Sequence, residues 1–211
     1  MNTVITISRQ YGSSGREIGK ILADGLGLPF YDKEALKGVA AEMGVTDSML
    51  EALGERHASS LLHSLAMGSY SFGYHEASHQ RPISQTATLV AFDAIKKVAR
   101  QSPCVIVGRC ADYVLENTAH CVSLFIHAPL AVRTDTVARR LQIGEGEAVA
   151  KIKDMDRLRQ RYYNYYTTKS WGEMDSYHLA VDSSVFGVAD TARMLGEMLC
   201  MQGARTAASP G

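Results

Sequence analysis

The stretch Ser8-Arg9-Gln10-Tyr11-Gly12-Ser13-Ser14-Gly15-Arg16-Glu17-Ile18-Gly19 is rich in small residues, which let a backbone come close to an anion. It follows a β-branched run, Thr3 to Ile7, and precedes apolar residues at helical spacing. It therefore reads as a strand-to-helix turn, where backbone N–H groups and the positive end of a helix dipole face a bound phosphate. It is not a G-x-x-x-x-G-K-[ST] loop, because no lysine occurs between Met1 and Lys20. A tight turn that binds nothing fits the local pattern as well.

A second group lies between Ile143 and Trp171, where Lys151, Lys153, Arg157, Arg159 and Arg161 stand close to Tyr162, Tyr163, Tyr165 and Tyr166. Guanidinium groups make bidentate contacts to phosphate, so such a segment suits a basic lid. The same residues, with Glu145, Glu147, Asp154 and Asp156, also fit a solvated helix face with i,i+3 and i,i+4 pairs. The tyrosines read as packing groups.

Other chemistries find less support. His75-x-x-x-His79, with His57 and His63 nearby, would need a helix that the surrounding Gly/Ser content disfavours, and no cysteine or carboxylate cluster completes a metal site. No G-x-S-x-G elbow supports a serine hydrolase. Twenty-two basic residues balance twenty-two acidic ones, so no overall field recruits nucleic acid or an anionic membrane. No apolar run approaches the length of a membrane span. The start of the chain lacks a charged region followed by a long apolar one, and Cys104, Cys110, Cys121 and Cys200 form no C-x-x-C pair. Reduced thiols in a cytoplasm are expected.

The elements that must position these groups alternate. Strands are expected at Thr3–Ile7, Leu28–Tyr31, Cys104–Val107, Val122–Ile126 and Leu179–Asp182, with helices between them carrying Ile18, Leu22 and Leu26, then Phe92, Ile95 and Val98, then Leu130, Val137 and Leu141, and finally Val188, Ala192, Leu195 and Leu199. Ala128-Pro129 is expected to start the third of these helices. The alternation predicts an α/β fold, a three-layer arrangement of a five-stranded parallel sheet with helices on both faces. A single domain is expected, with its core at 1–33, 85–142 and 172–202. Residues 34 to about 84 form an insert that begins helical, about 143–171 form a lid, and 203–211 form a frayed tail. Two hundred and eleven residues at 46% hydrophobic are enough for one such core.

Four segments in order also resemble the cytidylate kinase-like family. They are Ile7 to Gly19 followed by Pro29-Phe30-Tyr31-Asp32-Lys33-Glu34; Pro103 to Tyr113, with its Gly108-Arg109-Cys110-Ala111-Asp112; Asp156-x-x-Arg159-x-x-Tyr162-Tyr163; and Trp171-Gly172 with Tyr177 to Ser184. The resemblance implies a P-loop kinase that moves the γ-phosphoryl of ATP, carried with Mg²⁺, to a nucleoside monophosphate, CMP or dCMP favoured. It implies that Gly12, Ser13, Ser14, Gly15, Arg16 and Glu17 cradle the donor phosphates, joined by Arg139. By the same carry-over Asp32, Arg109 and Asp112 serve the acceptor, and Arg159 with Lys153 and Arg157 supplies lid cations. A gapless overlay puts Gly15 at the lysine position and Arg16 at the Ser/Thr position. Arg16 would replace the missing charge, and Ser13 or Ser14 would offer a hydroxyl to Mg²⁺. Lys33-Glu34 and Cys110 depart from the family's Asp-Thr-Gly and Gly-Arg-Asp motifs. Those departures keep open a weakly catalytic nucleotide-binding or regulatory protein, or a kinase for another small acceptor.

Overall fold

The computed structural model of the chain describes residues 3–45 and 83–208. The run of β-branched residues near the start forms β1 (Val4–Arg9), and after a short turn the chain enters α1 (Gly15–Leu26). Gly15 and Gly19 stand four residues apart on one face of α1. A Cβ on Gly19 would lie 3.0 Å from Ile7 Cδ1 and 3.2 Å from Val107 Cγ2, so the missing side chain lets this helix lie close on the sheet. Gly27, at φ +65°, ends the helix in the left-handed conformation that glycine reaches without strain.

β2 (Phe30–Tyr31) and α2 (Lys33–Glu42) follow. Beyond the undescribed residues come α3 (Ile83–Gln101), β3 (Val105–Val107), the short α4 (Ala111–Val114) and β4 (Cys121–His127). The chain continues through α5 (Leu130–Leu141), α6 (Glu145–Tyr166), a 3₁₀ turn at Met174–Ser176, β5 (Leu179–Asp182) and α7 (Ser183–Ala208), which is broken at Gly187, where φ +73° and ψ 178° leave the helical conformation.

All five strands are parallel, in the order β2-β3-β1-β4-β5, and Ile7 of β1 pairs in register with Val107 on one side and Leu124 on the other. Alternation along β1 divides the core. Ile5 and Ile7 face Ile18, Leu22, Leu195 and Leu199 of α1 and α7, whereas Val4 joins Leu36, Ile95, Val98 and Leu115 on the opposite face. Each such buried aliphatic side chain contributes about 1.5–3 kcal/mol relative to an exposed one. The result is the expected three-layer α/β sheet.

After β1 the chain builds β2 and β3 on one side, then crosses to build β4 and β5 on the other. Open parallel sheets bind ligands beyond the carboxyl ends of their strands at such a change of direction. The turn after β1 and the start of α4 both lie there.

Three local expectations change. Pro129 is the residue before α5 and not its first residue. Residues 203–208, expected to fray, continue α7 to Ala208, in keeping with the high helix propensity of Ala204, Ala207 and Ala208. The chain from Ile83, expected in the insert, already belongs to α3. The insert itself starts as α2, as its apolar spacing indicates, while its residues 46–82, including His57, His63, His75 and His79, lie outside the described residues.

Candidate functional site

The turn between β1 and α1 is held from below. The Ser13 hydroxyl donates to the carbonyl oxygens of Gln10 and Ile126, at 3.0 and 3.1 Å, and the Ser183 hydroxyl donates to Ser13 O and His127 O, at 2.9 and 3.1 Å. Gly12 adopts φ +84°, and a Cβ there would lie 2.9 Å from the carbonyl oxygen of Arg133. Glycine is therefore required by conformation and by space together. The first-turn N–H groups of α1, which no intrahelical carbonyl satisfies, open from this turn.

The helix α6 closes over the turn. Asp156 Oδ1 accepts the Tyr11 N–H at 2.7 Å, and Asp156 Oδ2 accepts from Arg133 Nη1 at 2.6 Å. Arg133 is buried, and it also donates through Nε to Ala128 O at 2.9 Å and through Nη1 to Tyr11 O at 3.2 Å. One turn along α6, Arg159 Nη1 donates to Arg9 O at 3.0 Å. The Tyr11 ring receives two guanidinium groups, Arg140 at 5.1 Å and Arg159 at 5.4 Å from its centroid.

On the β3 side, Gly108, Arg109 and Cys110 are three consecutive left-handed residues, with φ +82°, +58° and +55°. Non-glycine residues in this region each cost on the order of 1–3 kcal/mol, and such strain concentrates at functional sites. The run turns the Arg109 side chain under α6, where its guanidinium lies 5.6 Å from the Tyr162 ring. Arg9, Arg109 and Arg159 line one small cavity of about 40 Å³, walled by Tyr162, Tyr163 and Trp171, with no acidic side chain in its lining. Burial pushes the Tyr162 hydroxyl up to about 12, with Arg109 acting against the shift. Burial likewise pushes the Cys110 thiol up, so it stays protonated and unreactive at neutral pH.

A larger cavity, about 800 Å³, opens on the other side of α6 toward β4. Lys153, Arg157 and Gln160 line it from the helix, with Phe125 and His127 from the sheet, and Trp171 borders both cavities.

The expected site residues separate into groups. Arg109 and Arg159 meet in the small cavity, while Lys153 and Arg157 face the large one. Asp112 does not line either cavity; it is buried and accepts at 2.5 Å from the hydroxyl of Tyr163, which borders the small one. Burial raises the Asp112 pKa, with the Tyr163 hydrogen bond and the Lys169 charge opposing. Arg16 and Asp32 meet, but as partners of each other, because Arg16 Nε and Nη2 lie 2.8 and 2.6 Å from Asp32 Oδ2. Asp32 also caps α2, with Oδ1 accepting from the Glu34 and Ala35 N–H groups, both at 3.0 Å. Arg139 forks onto Asp135 on the exposed face of α5, at 3.1 and 2.5 Å, while its neighbour Arg140 reaches Tyr11. Glu17 is exposed in the first turn of α1, Ser14 caps that helix with φ +57°, and the hydroxyl of Ser13 is held by carbonyls and not aimed at a cation. Ser14 is the remaining serine of the expected pair.

Sequence reasoning missed Asp156 as the group that locks α6 to the turn. Asp156, Arg159 and Tyr163 follow i,i+3 and i,i+4 spacing on one helix face, which is the signal that marks it.

A parallel sheet with this strand order, a glycine-rich turn after β1 and a basic helix over it define a protein with the P-loop kinase fold. Shikimate kinase from Acinetobacter baumannii shares that fold at 12% identity, with a TM-score of 0.51 over 95% of this chain and 96% of that one. An uncharacterized protein from Eubacterium ventriosum is more similar, with 25% identity and a TM-score of 0.70 over 93% of this chain and 98% of that one. The chain belongs to the cytidylate kinase-like family, whose model matches residues 4–185. The cytidylate kinase of Pyrococcus furiosus is 33% identical over 89 residues, and that of Pyrococcus abyssi 32% over 89 residues. Each match takes in 42% of this chain and less than half of the relative, 45% and 48% of their lengths. Among the described residues no helix is long and apolar enough to cross a membrane.

Proposed function

We propose that this protein is a phosphotransferase that moves the γ-phosphoryl group of ATP to a nucleoside monophosphate, with CMP or dCMP favoured. One observation carries the reading. Arg109 from the left-handed run after β3 and Arg159 from the lid helix converge on one cavity beside the glycine-rich turn. Phosphoryl transfer spreads charge over the equatorial oxygens, so it calls for fixed cations and exclusion of water more than for a covalent participant.

The glycine-rich turn fits a triphosphate donor through its backbone, because the unsatisfied first-turn N–H groups of α1 open from it, while Gly12 lets it pack close on Arg133. The large cavity beside it, with Lys153 and Arg157, has room for the rest of a nucleotide. Mg²⁺ fits only as an ion carried on the donor. No group of three or more His, Cys, Asp or Glu side chains that could hold a metal occurs among the described residues, and Mg²⁺ in such sites takes most of its ligands from phosphates and water. In the reaction an acceptor phosphate oxygen joins the γ-phosphorus as the bond to the β–γ bridging oxygen breaks, leaving ADP and a nucleoside diphosphate. Arg109 and Arg159 neutralise the oxygens in flight, and the Tyr163 and Trp171 walls keep water from competing.

Small nucleotides, and neither nucleic acid nor membrane, are the proposed partners. The proposed location is the cytoplasm, in keeping with four cysteines that are all free thiols. A second reading, a nucleotide-binding protein with little catalysis, is favoured by the attachment of Arg16 to Asp32, which leaves the turn without the cation expected from that position. A panel of nucleoside monophosphates with ATP and Mg²⁺, followed by ADP release, decides between them. Turnover that depends on CMP or dCMP supports the kinase. ATP binding without turnover on any acceptor supports the second reading.

A further inference from the structure

We infer that Arg9 supplies the positive charge that a lysine would bring to the glycine-rich turn, and that with Arg109 and Arg159 it forms a three-guanidinium pocket for the transferred phosphoryl group. The inference rests on the phosphoryl-transfer reading above and adds to it a residue outside the expected set.

Arg9 is the last residue of β1, and its side chain follows a track cleared by two glycines. A Cβ on Gly15 would lie 2.7 Å from Arg9 Cβ and 3.2 Å from Arg9 Cγ. A Cβ on Gly108 would lie 2.2 Å from Arg9 Nη1 and 3.1 Å from Arg9 Cζ. The stem thus crosses Gly15, the position that overlays the lysine of a standard loop, and the guanidinium ends at the strained run that carries Arg109. Any other residue at Gly15 or Gly108 would compete with Arg9 for this volume.

The alternative source of charge is directed elsewhere, since Arg16 holds Asp32. Arg159 is bound to the same strand end, donating to Arg9 O at 3.0 Å, so the lid helix and β1 bring their guanidinium groups into one cavity when they meet. Three arginines in a small cavity, about 40 Å³, whose lining has no acidic side chain suit the multiply charged oxygens of a phosphate group. Arg9 forms no covalent bond in this role. It holds the phosphoryl oxygens while the group passes from donor to acceptor.

The experiment uses the full chain, with Arg9→Ala, Arg9→Lys and Arg9→Gln beside Arg193→Ala, an exposed arginine on α7 that pairs with Asp190 and Glu197. Inorganic pyrophosphate is titrated by calorimetry, and turnover of ATP with CMP is measured separately. Arg9→Ala is expected to weaken pyrophosphate binding by at least about 10-fold and to lower kcat by about 100-fold, as loss of a charge-stabilising donor does. Arg9→Lys is expected to recover most of both losses, and Arg193→Ala to behave as wild type. Arg9→Gln keeps the stem over Gly15 without the charge, so it carries the test if the alanine variant does not fold. Wild-type binding of pyrophosphate by folded Arg9→Ala or Arg9→Gln protein overturns the inference, and so does a wild-type protein that binds no pyrophosphate. If wild type turns over no acceptor, the proposed function fails, and the pyrophosphate titration still decides the role of Arg9.

Discussion

Arg16 and Asp32 form a bidentate-to-one-oxygen ion pair, with Arg16 Nε at 2.8 Å and Nη2 at 2.6 Å from Asp32 Oδ2, while Asp32 Oδ1 caps α2. The pair fastens α1 to the start of α2. It directs Arg16 toward β2, and Phe30 supports it there, with its ring centroid 5.9 Å from the guanidinium.

Removal of this arginine is expected to be mild. Its side chain is 68% exposed, and Asp32 keeps its two backbone donors, so Arg16→Ala should cost only about 0.5 kcal/mol in urea unfolding. A loss above about 2 kcal/mol would contradict a screened surface pair and point to a structural role for Arg16 in the turn itself.

Asp32 should contribute to acid sensitivity. Burial works to raise its pKa, but the Ala35 N–H, the Arg16 guanidinium and the Glu34 N–H outweigh it and hold the carboxyl below the usual aspartate value. A depressed native pKa stabilises the fold at neutral pH, and that contribution disappears as pH falls from the ordinary aspartate range through the native value. Unfolding midpoints measured between pH 7 and pH 2 should therefore converge for wild type and Asp32→Ala at the acid end and separate at neutral pH.

Asp112 should act in the opposite sense. Its pKa is raised mainly by burial, so its stabilising share is fully present below the ordinary aspartate value and declines as pH rises through the native one. Asp112→Asn keeps an oxygen for the Tyr163 hydroxyl and has no charge to bury. The stability of the variant relative to wild type should increase as pH rises, and a difference independent of pH would rule out this account.

Asp156 is expected to be the most sensitive of these positions. Its two oxygens take the Tyr11 N–H and the charge of buried Arg133, so Asp156→Ala should destabilise the protein by about 3 kcal/mol, because it leaves a guanidinium uncompensated. Limited proteolysis should cut α6 faster in this variant, since the turn and Arg133 are the contacts that Asp156 supplies. Unchanged proteolysis and unfolding would show that the Arg159 bond to Arg9 O holds the helix by itself.

What the sequence determined by itself follows from local rules. β-branched runs and 3.6-residue apolar spacing marked β1, α1, β3 and β4, and a glycine-rich segment between the first two marked the turn, because each depends on residues close together in the chain. The destinations of the arginines were decided only by the tertiary structure. Arg9, Arg16, Arg133, Arg139, Arg140 and Arg159 have the same side chain, yet Arg16 holds the buried carboxylate of Asp32, Arg139 the exposed one of Asp135, three clasp the turn and one crosses to β3. A guanidinium on a long flexible stem takes the partner that folding brings within reach. Which partner that is depends on strand order, on the strained run at Gly108–Cys110 and on the space left by Gly15 and Gly108, and these come together only when β1, β3 and α6 meet.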